Sequence, residues 1–377
     1  MPPKKSVQLS GISVAETSIS SIDAERGVLM YRGYDIADLA EHATYEEVAY
    51  LLLEGELPTG EELVAFKDEL AARDLPRATT IVIDENARDA APMEMLRTAA
   101  STLSFGDPEE AAIDRAAERR KAALLVAQLP TIVARYDRRR RGLEPVDPDP
   151  SLSYSENFLT MLRGESPTES EVRAFDVLMI LHAEHEMNAS TFTARVVAGT
   201  LADLHSAVVA AICALKGPIH GGANERAMEF FEEVGEPDAV AGAVRDRFER
   251  RQTVFGFGHP VYVTMDPRAV ILKKWSRDFS GEGGEPNWFA ITEATENAVR
   301  EQKGLWPNVD LYSGSLYRYL GIPNDLFTPL FECSRVAGQA AHVLEQHADN
   351  KIIRPGAEYI GPGPRPYPVA SRSSSGS

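Results

Sequence analysis

Apolar residues recur at helical spacing through most of the chain, and this periodicity restricts the possible folds more than any other feature of the sequence. Residues 171–215 form the most apolar stretch, which capping sequences interrupt at Asn188 and Asp203. Two short β-prone runs within residues 18–31 predict a single hairpin. Further helices are predicted over residues 36–53, 61–72, 92–103 and 113–136. A mainly α-helical fold with a small N-terminal β-hairpin is therefore expected.

The composition limits the class of protein. The chain has 377 residues, of which 44% are hydrophobic, so it can bury a large core as one large or two ordinary domains. A net charge of −18 argues against nucleic acid as a partner, because a phosphate-binding surface needs a basic excess. Cys213 and Cys333 lie in apolar runs without metal-ligand spacing, so buried free thiols and a reducing compartment are expected.

Membrane association is not expected either. No apolar run approaches the roughly 18 residues that a membrane-spanning helix needs, and the opening residues are followed by polar residues rather than by the apolar core of a signal peptide. We therefore expect a soluble cytoplasmic protein.

Residues 256–268, Gly-Phe-Gly-His-Pro-Val-Tyr-Val-Thr-Met-Asp-Pro-Arg, are the part of the chain best suited to chemistry. Gly256 and Gly258 allow the backbone to approach a ligand closely and put His259 on the loop that follows, where an imidazole could polarise a carbonyl group. Arg268 supplies a planar, permanently charged fork that fits a carboxylate. The pattern suggests a keto-acid site, and the alternative is a glycine turn with an incidental histidine.

This stretch closely resembles the signature of the citrate synthase family, and four further blocks resemble that family in the same order. They are His182-Ala-Glu-His185, Gly217-Pro-Ile-His220-Gly-Gly-Ala-Asn224, Trp306-Pro-Asn-Val-Asp310-Leu-Tyr-Ser-Gly314, and Ser334-Arg335 with Ile353-Arg354-Pro355. The resemblance spans nearly the whole chain and leaves out only the extreme ends and the 105–155 region.

The resemblance implies a citrate synthase-like helical fold of two domains. Residues 1–217 and 321–377 would form a large domain, and residues 218–320 a small inserted domain hinged over it. Residues 362–377, rich in Pro, Gly and Ser, are expected to form a mobile tail.

A carbon–carbon bond-forming reaction on a thioester needs a base for the α-proton, a donor to the enolate oxygen and a group that activates the other partner. The family resemblance implies that Asp310, His220 and His259 are this catalytic triad. A partly apolar site would raise the basicity of Asp310, and a helix N-terminus beside His220 would keep that imidazole neutral. From the residues alone, a structural helix cap at Asp310 and a core histidine at 220 remain open.

The resemblance also implies the substrate contacts. Oxaloacetate would be held by His185, His259, Arg268, Arg335 and Arg354. Arg354 would reach in from the neighbouring subunit, so a homodimer with two shared active sites is expected. Coenzyme A would be contacted by Lys303 and by the loop of Gly256, Phe257 and Gly258. The side chains expected to support these contacts from behind are His182 and Asn188.

His182 and His185 are three residues apart on a predicted helix, with Glu184 and Glu186 beside them, and metal ligands share this spacing. No third metal-binding element is evident, so no metal site is predicted. No cofactor is predicted, because a coenzyme A thioester is a substrate. Two other classes stay open: a metal-dependent hydrolase, which would lose activity to chelators, and a non-catalytic helical dimer, which would release no thiol.

Val263 stands where many family members have a lysine or arginine that meets a coenzyme A phosphate, so one charge contact is expected to be absent. A different position bears on the acyl donor. Pro260, with the opening residues and residues 349–355, resembles the 2-methylcitrate synthase branch. The sequence therefore predicts an acyltransferase that condenses propionyl-CoA, and also acetyl-CoA, with oxaloacetate and water to give 2-methylcitrate or citrate. The alternative is an ordinary citrate synthase of the tricarboxylic acid cycle that uses acetyl-CoA.

Overall fold

The computed structural model describes residues 9, 11–71, 73–281 and 287–367, and in these residues the predicted mainly helical fold is confirmed. The strands are β1 Ser20–Asp23, β2 Val28–Tyr31 and β3 Tyr34–Asp35. The α-helices are α1 Ile36–His42, α2 Tyr45–Glu54, α3 Gly60–Leu70, α4 Arg77–Asn86, α5 Pro92–Ala100, α6 Arg115–Arg140, α7 Tyr154–Arg163, α8 Glu169–His182, α9 Ala189–Ala198, α10 Leu204–Leu215, α11 Ala223–Val234, α12 Val240–Glu249, α13 Pro267–Ser280, α14 Trp288–Lys303, α15 Val309–Tyr319 and α16 Phe327–Ala348. Short 3₁₀ helices cover Leu103–Gly106, Pro237–Ala239 and Asn324–Leu326.

The predicted hairpin is confirmed, since β1 and β2 pair antiparallel, and β3 adds a third strand that was not predicted. The hairpin turn packs against the loop that follows His259. Gly27 in this turn has a φ of +64°, and a Cβ atom there would lie 2.9 Å from Thr264 Cγ2, so both the conformation and the space require glycine. The Val263 N–H donates to Ala24 O at 3.2 Å in the same contact.

The single helix predicted over residues 36–53 is wrong, because the chain forms α1 and α2 instead. Thr44 separates them: its side chain accepts from Glu47 N–H while the Glu47 carboxylate accepts from Thr44 N–H at 2.7 Å. This capping box starts a new helix even though the apolar spacing continues through it. Thr59 caps α3 in the same way, as predicted. The predicted end of that helix, residue 72, lies outside the described residues.

The last long helix, α16, lies at the centre of the core. Nearly all its side chains are buried, and it packs against α2, α6, α8, α9 and α10. The basic run that ends α6 is paired with acidic neighbours, Arg139 with Asp84 and Arg140 with Asp325. These arginines therefore need no ligand to balance their charge.

The apolar stretch forms α8, α9 and α10, and Asn188 and Asp203 cap the last two as predicted. Two expectations are wrong. Helix α8 ends at His182, so His185 lies on the following loop rather than on the same helix face. Cys213 is exposed, whereas Cys333 is buried as expected.

The segment after α16 has no regular secondary structure as far as residue 367 and is mostly exposed. Residues 368–377 of the predicted tail lie outside the described residues, so its mobility stays a prediction. The division into domains at residues 217 and 321 also stays a prediction. Of the helices that the structure describes, none is both long enough and apolar enough to cross a membrane.

Candidate active site

The loop that carries His259 is joined to the start of α15, which carries Asp310. The Gly258 N–H donates to Trp306 O at 2.9 Å, and the Asn308 N–H donates to Gly256 O at 3.0 Å. Gly256 has a φ of +89°, and a Cβ atom there would lie 2.9 Å from Leu311 Cδ1, so only glycine allows this approach. Two motifs about fifty residues apart are thereby held against each other.

Main-chain groups fix the protonation of His259. Its Nδ1 accepts hydrogen bonds from the N–H groups of Val261 at 3.0 Å and Tyr262 at 3.3 Å. Because Nδ1 is an acceptor, a neutral imidazole carries its proton on Nε2. Burial, with the charge of Arg268 nearby, lowers the pKa of His259 to about 4, so the ring is neutral at pH 7. The arrangement leaves one donor, Nε2–H.

In His220 the other ring nitrogen, Nε2, is the hydrogen-bond acceptor. Its Nε2 accepts from the Ser190 N–H at 3.2 Å and lies 2.9 Å from Ser190 Oγ, which leaves Nδ1–H as the donor. Burial lowers the pKa of His220 to about 4, and the charge of Arg335 adds to this. Sequence reasoning missed Ser190, because the capping sequence that contains it gives no sign that it meets a residue thirty positions later.

Asp310 is 8% exposed, and its Oδ1 has no hydrogen-bond partner among the described residues. Burial raises its pKa to about 7, although the charge of Arg268 acts in the opposite direction. The alternative role as a helix cap is wrong, since the cap of α15 is Asn308, whose Oδ1 accepts from the Asp310 N–H at 3.0 Å. Asp310 therefore has an unpaired carboxylate oxygen with the basicity of a general base.

His185 lies on a loop held by long-range contacts. Tyr31 Oη donates to Glu184 O at 2.8 Å, and Gly338 of α16 packs so closely that a Cβ atom there would overlap Ala183 O and Glu184 Oε2. The His185 ring lies 4.9 Å from the His259 ring, centroid to centroid. Two histidines predicted to contact the keto acid are thus brought together. Burial holds the pKa of His185 well below its usual value, and Arg268 adds to this.

Two of the three predicted oxaloacetate arginines are buried beside these histidines. Arg268 is 2% exposed and makes a two-bond pair with Asp266, at 3.0 Å and 2.7 Å. Arg335 is 1% exposed, and its Nε donates to His182 O at 2.6 Å. Burial lowers the pKa of Arg335 to about 10, so it stays charged at pH 7. Arg354 is exposed on the segment after α16.

His182 and Asn188, which were predicted to support the substrate-binding side chains, both contact candidate site residues. The main-chain carbonyl of His182 holds Arg335, while its ring Nδ1 bonds to Leu178 O at 2.7 Å. Asn188 Nδ2 donates to His185 O at 3.4 Å, and its Oδ1 accepts from Ser190 Oγ at 2.8 Å. Asn188 therefore connects the His185 loop with the residue that holds His220.

The candidate coenzyme A contacts lie along the same loop and on α14. Phe257, which lies between the two glycines of the loop, forms an isolated antiparallel β-bridge with Pro307. Lys303 is exposed in the last turn of α14, with Nζ 5.1 Å from the Phe248 ring centroid. Val263 is 70% exposed. The described ranges contain no group of three His, Cys, Asp or Glu side chains that could hold a metal ion, so nothing in them supports the hydrolase alternative.

Comparison with known proteins gives matches along nearly the whole chain. A family model described as citrate synthase, C-terminal domain, matches residues 8–356. The citrate synthase of Haloferax volcanii is 48% identical, over 94% of this chain and 95% of that protein. The 2-methylcitrate synthase of Shewanella oneidensis is 42% identical, over 97% of both chains.

Solved structures agree with these relatives. The citrate synthase of Pyrobaculum aerophilum is 43% identical and has a TM-score of 0.90, covering 96% of this chain and 94% of that one. A ternary complex of the Thermoplasma acidophilum citrate synthase with carboxymethyl coenzyme A and oxaloacetate is 33% identical and has a TM-score of 0.91, covering 97% and 98%. On the strength of these matches, this chain belongs to the citrate synthase family.

Proposed function

We propose that this protein condenses a short acyl-CoA thioester with oxaloacetate and then hydrolyses the product thioester to release coenzyme A. The observation that carries the proposal is the unpaired Oδ1 of Asp310, on a carboxyl group whose pKa burial raises to about 7. His220 and His259 supply one neutral N–H donor each. The Thermoplasma acidophilum relative was solved with a coenzyme A analogue and oxaloacetate, which supports the same substrate classes here.

In the first step, Asp310 takes a proton from the α-carbon of the acyl group. The electron pair of that C–H bond moves toward the thioester oxygen, where negative charge develops. His220 Nδ1–H donates a hydrogen bond to this oxygen. A neutral imidazole suits this role because it stabilises the enolate while keeping its own proton.

In the second step, the α-carbon attacks the keto carbon of oxaloacetate and forms the new carbon–carbon bond. The keto oxygen becomes an alkoxide, which accepts a hydrogen bond from His259 Nε2–H, and its protonation to the hydroxyl group is balanced by the proton that Asp310 releases. Arg268 and Arg335 balance the two substrate carboxylates, and His185 lies beside them. Water then cleaves the thioester, giving the free acid and coenzyme A.

Both acetyl-CoA and propionyl-CoA are proposed as substrates. They differ by one methylene group, and a hydrophobic pocket discriminates between two such substrates by only about 10–200-fold. Pro260 is exposed, so it does not itself line a buried wall, and the proposed preference for propionyl-CoA rests on the resemblance alone. The 48% identity to a citrate synthase favours acetyl-CoA as the alternative.

We further propose a homodimer in which Arg354 crosses to the neighbouring site, with residues 218–320 closing over the substrates. Arg354 is exposed, and so are three large apolar side chains near it, Ile352, Tyr359 and Ile360. This exposure supports the proposal, because large apolar side chains on a segment without regular secondary structure suit a subunit contact. Lys303 is proposed to contact a coenzyme A phosphate, a role that its exposed ammonium permits.

The direct test is thiol release from each thioester, with and without oxaloacetate. Oxaloacetate-dependent release that persists in excess chelator supports the proposal. Release without oxaloacetate that chelator abolishes would indicate the hydrolase, and no release at all would indicate the non-catalytic dimer. His259→Ala should abolish the signal, whereas Asp246→Asn, an exposed position on α12, serves as the control and should not change it.

A further inference from the structure

Tyr262 contacts both histidines of the keto-acid pocket, although neither the motifs nor the proposed mechanism gives it a role. Its hydroxyl lies 3.1 Å from His185 Nε2. Its ring centroid lies 4.7 Å from the His259 ring and 5.5 Å from the His185 ring. The side chain is only 5% exposed, so the contact is shielded from water. Burial raises the pKa of the phenol, which therefore keeps its proton and remains a hydrogen-bonding group at any working pH.

The hydrogen bond is the side-chain contact that orients the His185 imidazole in the described structure. His259 and His220 are each oriented by main-chain N–H groups, which cannot rotate away. His185 Nε2 instead meets a side-chain hydroxyl. In whichever direction the proton lies along this bond, the imidazole cannot turn without breaking it. Arg268, whose charge acts on both His185 and Tyr262, lies next to this pair.

The same bond joins the two proposed domains. His185 belongs to residues 1–217, and Tyr262 to residues 218–320. A second contact between these parts lies directly after Tyr262, where Val263 N–H donates to Ala24 O at 3.2 Å. The Tyr262 hydroxyl thus reaches His185 in a structure in which the loop after His259 is seated on the β1–β2 turn. Orientation of His185 is thereby coupled to the position of this loop.

We propose that Tyr262 is a positioning residue of the keto-acid site, whose hydroxyl holds the His185 imidazole in the orientation that binds oxaloacetate when the loop after His259 is closed. The inference rests on the proposed function. It predicts an effect on oxaloacetate affinity rather than on bond making, because the Tyr262 hydroxyl meets His185, whereas the ring and main-chain N–H that contact His259 do not depend on that hydroxyl. Loss of one net hydrogen bond corresponds to about a 3–10-fold change in affinity.

The test is Tyr262→Phe, which removes one oxygen and keeps the ring. We expect the KM for oxaloacetate to rise about 3–10-fold while kcat at saturating oxaloacetate stays within about twofold. Tyr136→Phe is the matched control: Tyr136 is 3% exposed, and its hydroxyl donates to Ala90 O at 2.7 Å in a different part of the fold. It should leave the KM unchanged. An unchanged or lower KM in Tyr262→Phe would overturn the proposal.

A double-variant comparison tests whether the effect runs through His185. In a His185→Ala background, adding Tyr262→Phe should change the KM by less than about twofold, because the group that Tyr262 orients is already absent. A full further rise in that background would mean that Tyr262 contacts the substrate directly, and it would overturn the positioning role.

Calorimetric titration with oxaloacetate separates this inference from the proposed function. If the natural protein binds oxaloacetate but releases no thiol, the proposed condensation fails, while weaker binding by Tyr262→Phe would still support the inference. If thiol release occurs and both proteins bind oxaloacetate equally, the inference fails alone. If Tyr262→Phe does not fold while Tyr136→Phe does, Tyr262 is a structural residue and the proposal is overturned.

Discussion

Replacing Asp310 by Asn is expected to remove activity and, at the same time, to stabilise the fold at neutral and alkaline pH. Activity should fall by about 10²–10⁴-fold, the usual contribution of a placed general base. The stability effect follows from burial, which raises the carboxyl pKa from 3.8 to about 7. A group whose pKa is higher in the folded state holds its proton more tightly there. Above pH 3.8 the unfolded chain therefore gains relative stability by ionising first.

The magnitude follows from the size of the pKa change. At about 1.4 kcal/mol per pKa unit, the rise from 3.8 to about 7 costs the folded protein at most about 4 kcal/mol at pH 8. The cost grows between pH 4 and pH 7 and is constant above that. Asn cannot ionise, so Asp310→Asn should have a higher free energy of unfolding than the natural protein at pH 8. Near pH 4 the two free energies of unfolding should differ little.

Denaturant unfolding at pH 4, 6 and 8 would measure this, with the exposed Asp246→Asn as a control expected to show no pH-dependent difference. An Asp310→Asn variant that is no more stable than the natural protein at pH 8, or that has the same advantage at pH 4, would contradict this prediction. In either case the carboxyl group would not be held in the environment that the structure describes. Oxaloacetate must be absent, because a bound ligand adds its own stabilisation.

Two further predictions concern the subunit contact and the acyl donor. Arg354→Ala and His259→Ala should each be inactive alone, and after subunit exchange an equal mixture should recover about a quarter of the natural activity, because half of the dimers are mixed and each has one whole site. No recovery after demonstrated exchange would contradict a shared site. The ratio kcat/KM should be higher for propionyl-CoA than for acetyl-CoA, with both measurable. Steady-state kinetics that clearly favour acetyl-CoA would instead support an ordinary citrate synthase.

Apolar spacing predicted α3, α5, α6 and α8 to α10, and it merged α1 and α2 into one helix. The break between α1 and α2 lies at Thr44, where the helical period continues across the capping box and hides it. The sequence Thr44-Tyr-Glu-Glu47 carried the signal, since Thr followed three residues later by Glu marks a helix start. Helices α4, α7 and α12 to α16 were not predicted individually, and α7 begins after the Pro-rich segment that ends at Pro150.

The site residues could be named from the sequence, but their protonation and partners could not. His220 meets Ser190 through a contact that depends on tertiary structure, so spacing alone left a core histidine open. The cap at Asn308 is local, and the sequence offered both Asn308 and Asp310 for that position. Asp266 and Tyr262 were overlooked although they lie within the signature stretch. Nothing in their positions shows that one pairs with Arg268 and the other meets His185.

The same burial that keeps His220 and His259 neutral makes Asp310 basic, and the two arginines proposed to bind the keto acid limit how basic it becomes. Arg268 and Arg335 lower the pKa of Asp310, opposing the rise that desolvation causes. In the proposed complex, oxaloacetate brings two carboxylates to these arginines and offsets their charge. Binding of the keto acid should therefore raise the pKa of Asp310 above its value of about 7 in the unliganded protein.

Two different pH profiles are therefore expected. The ratio kcat/KM for oxaloacetate, which reports the unliganded protein, should fall about tenfold per pH unit below about pH 7. The kcat profile, which reports the complex, should show its acid limb at a higher pH. Asp310 would then be the stronger base once oxaloacetate is in place, so proton abstraction from the thioester would be favoured only when its reaction partner is present. Identical pKa values in the two profiles would show that the arginine charges do not act on Asp310 in this way.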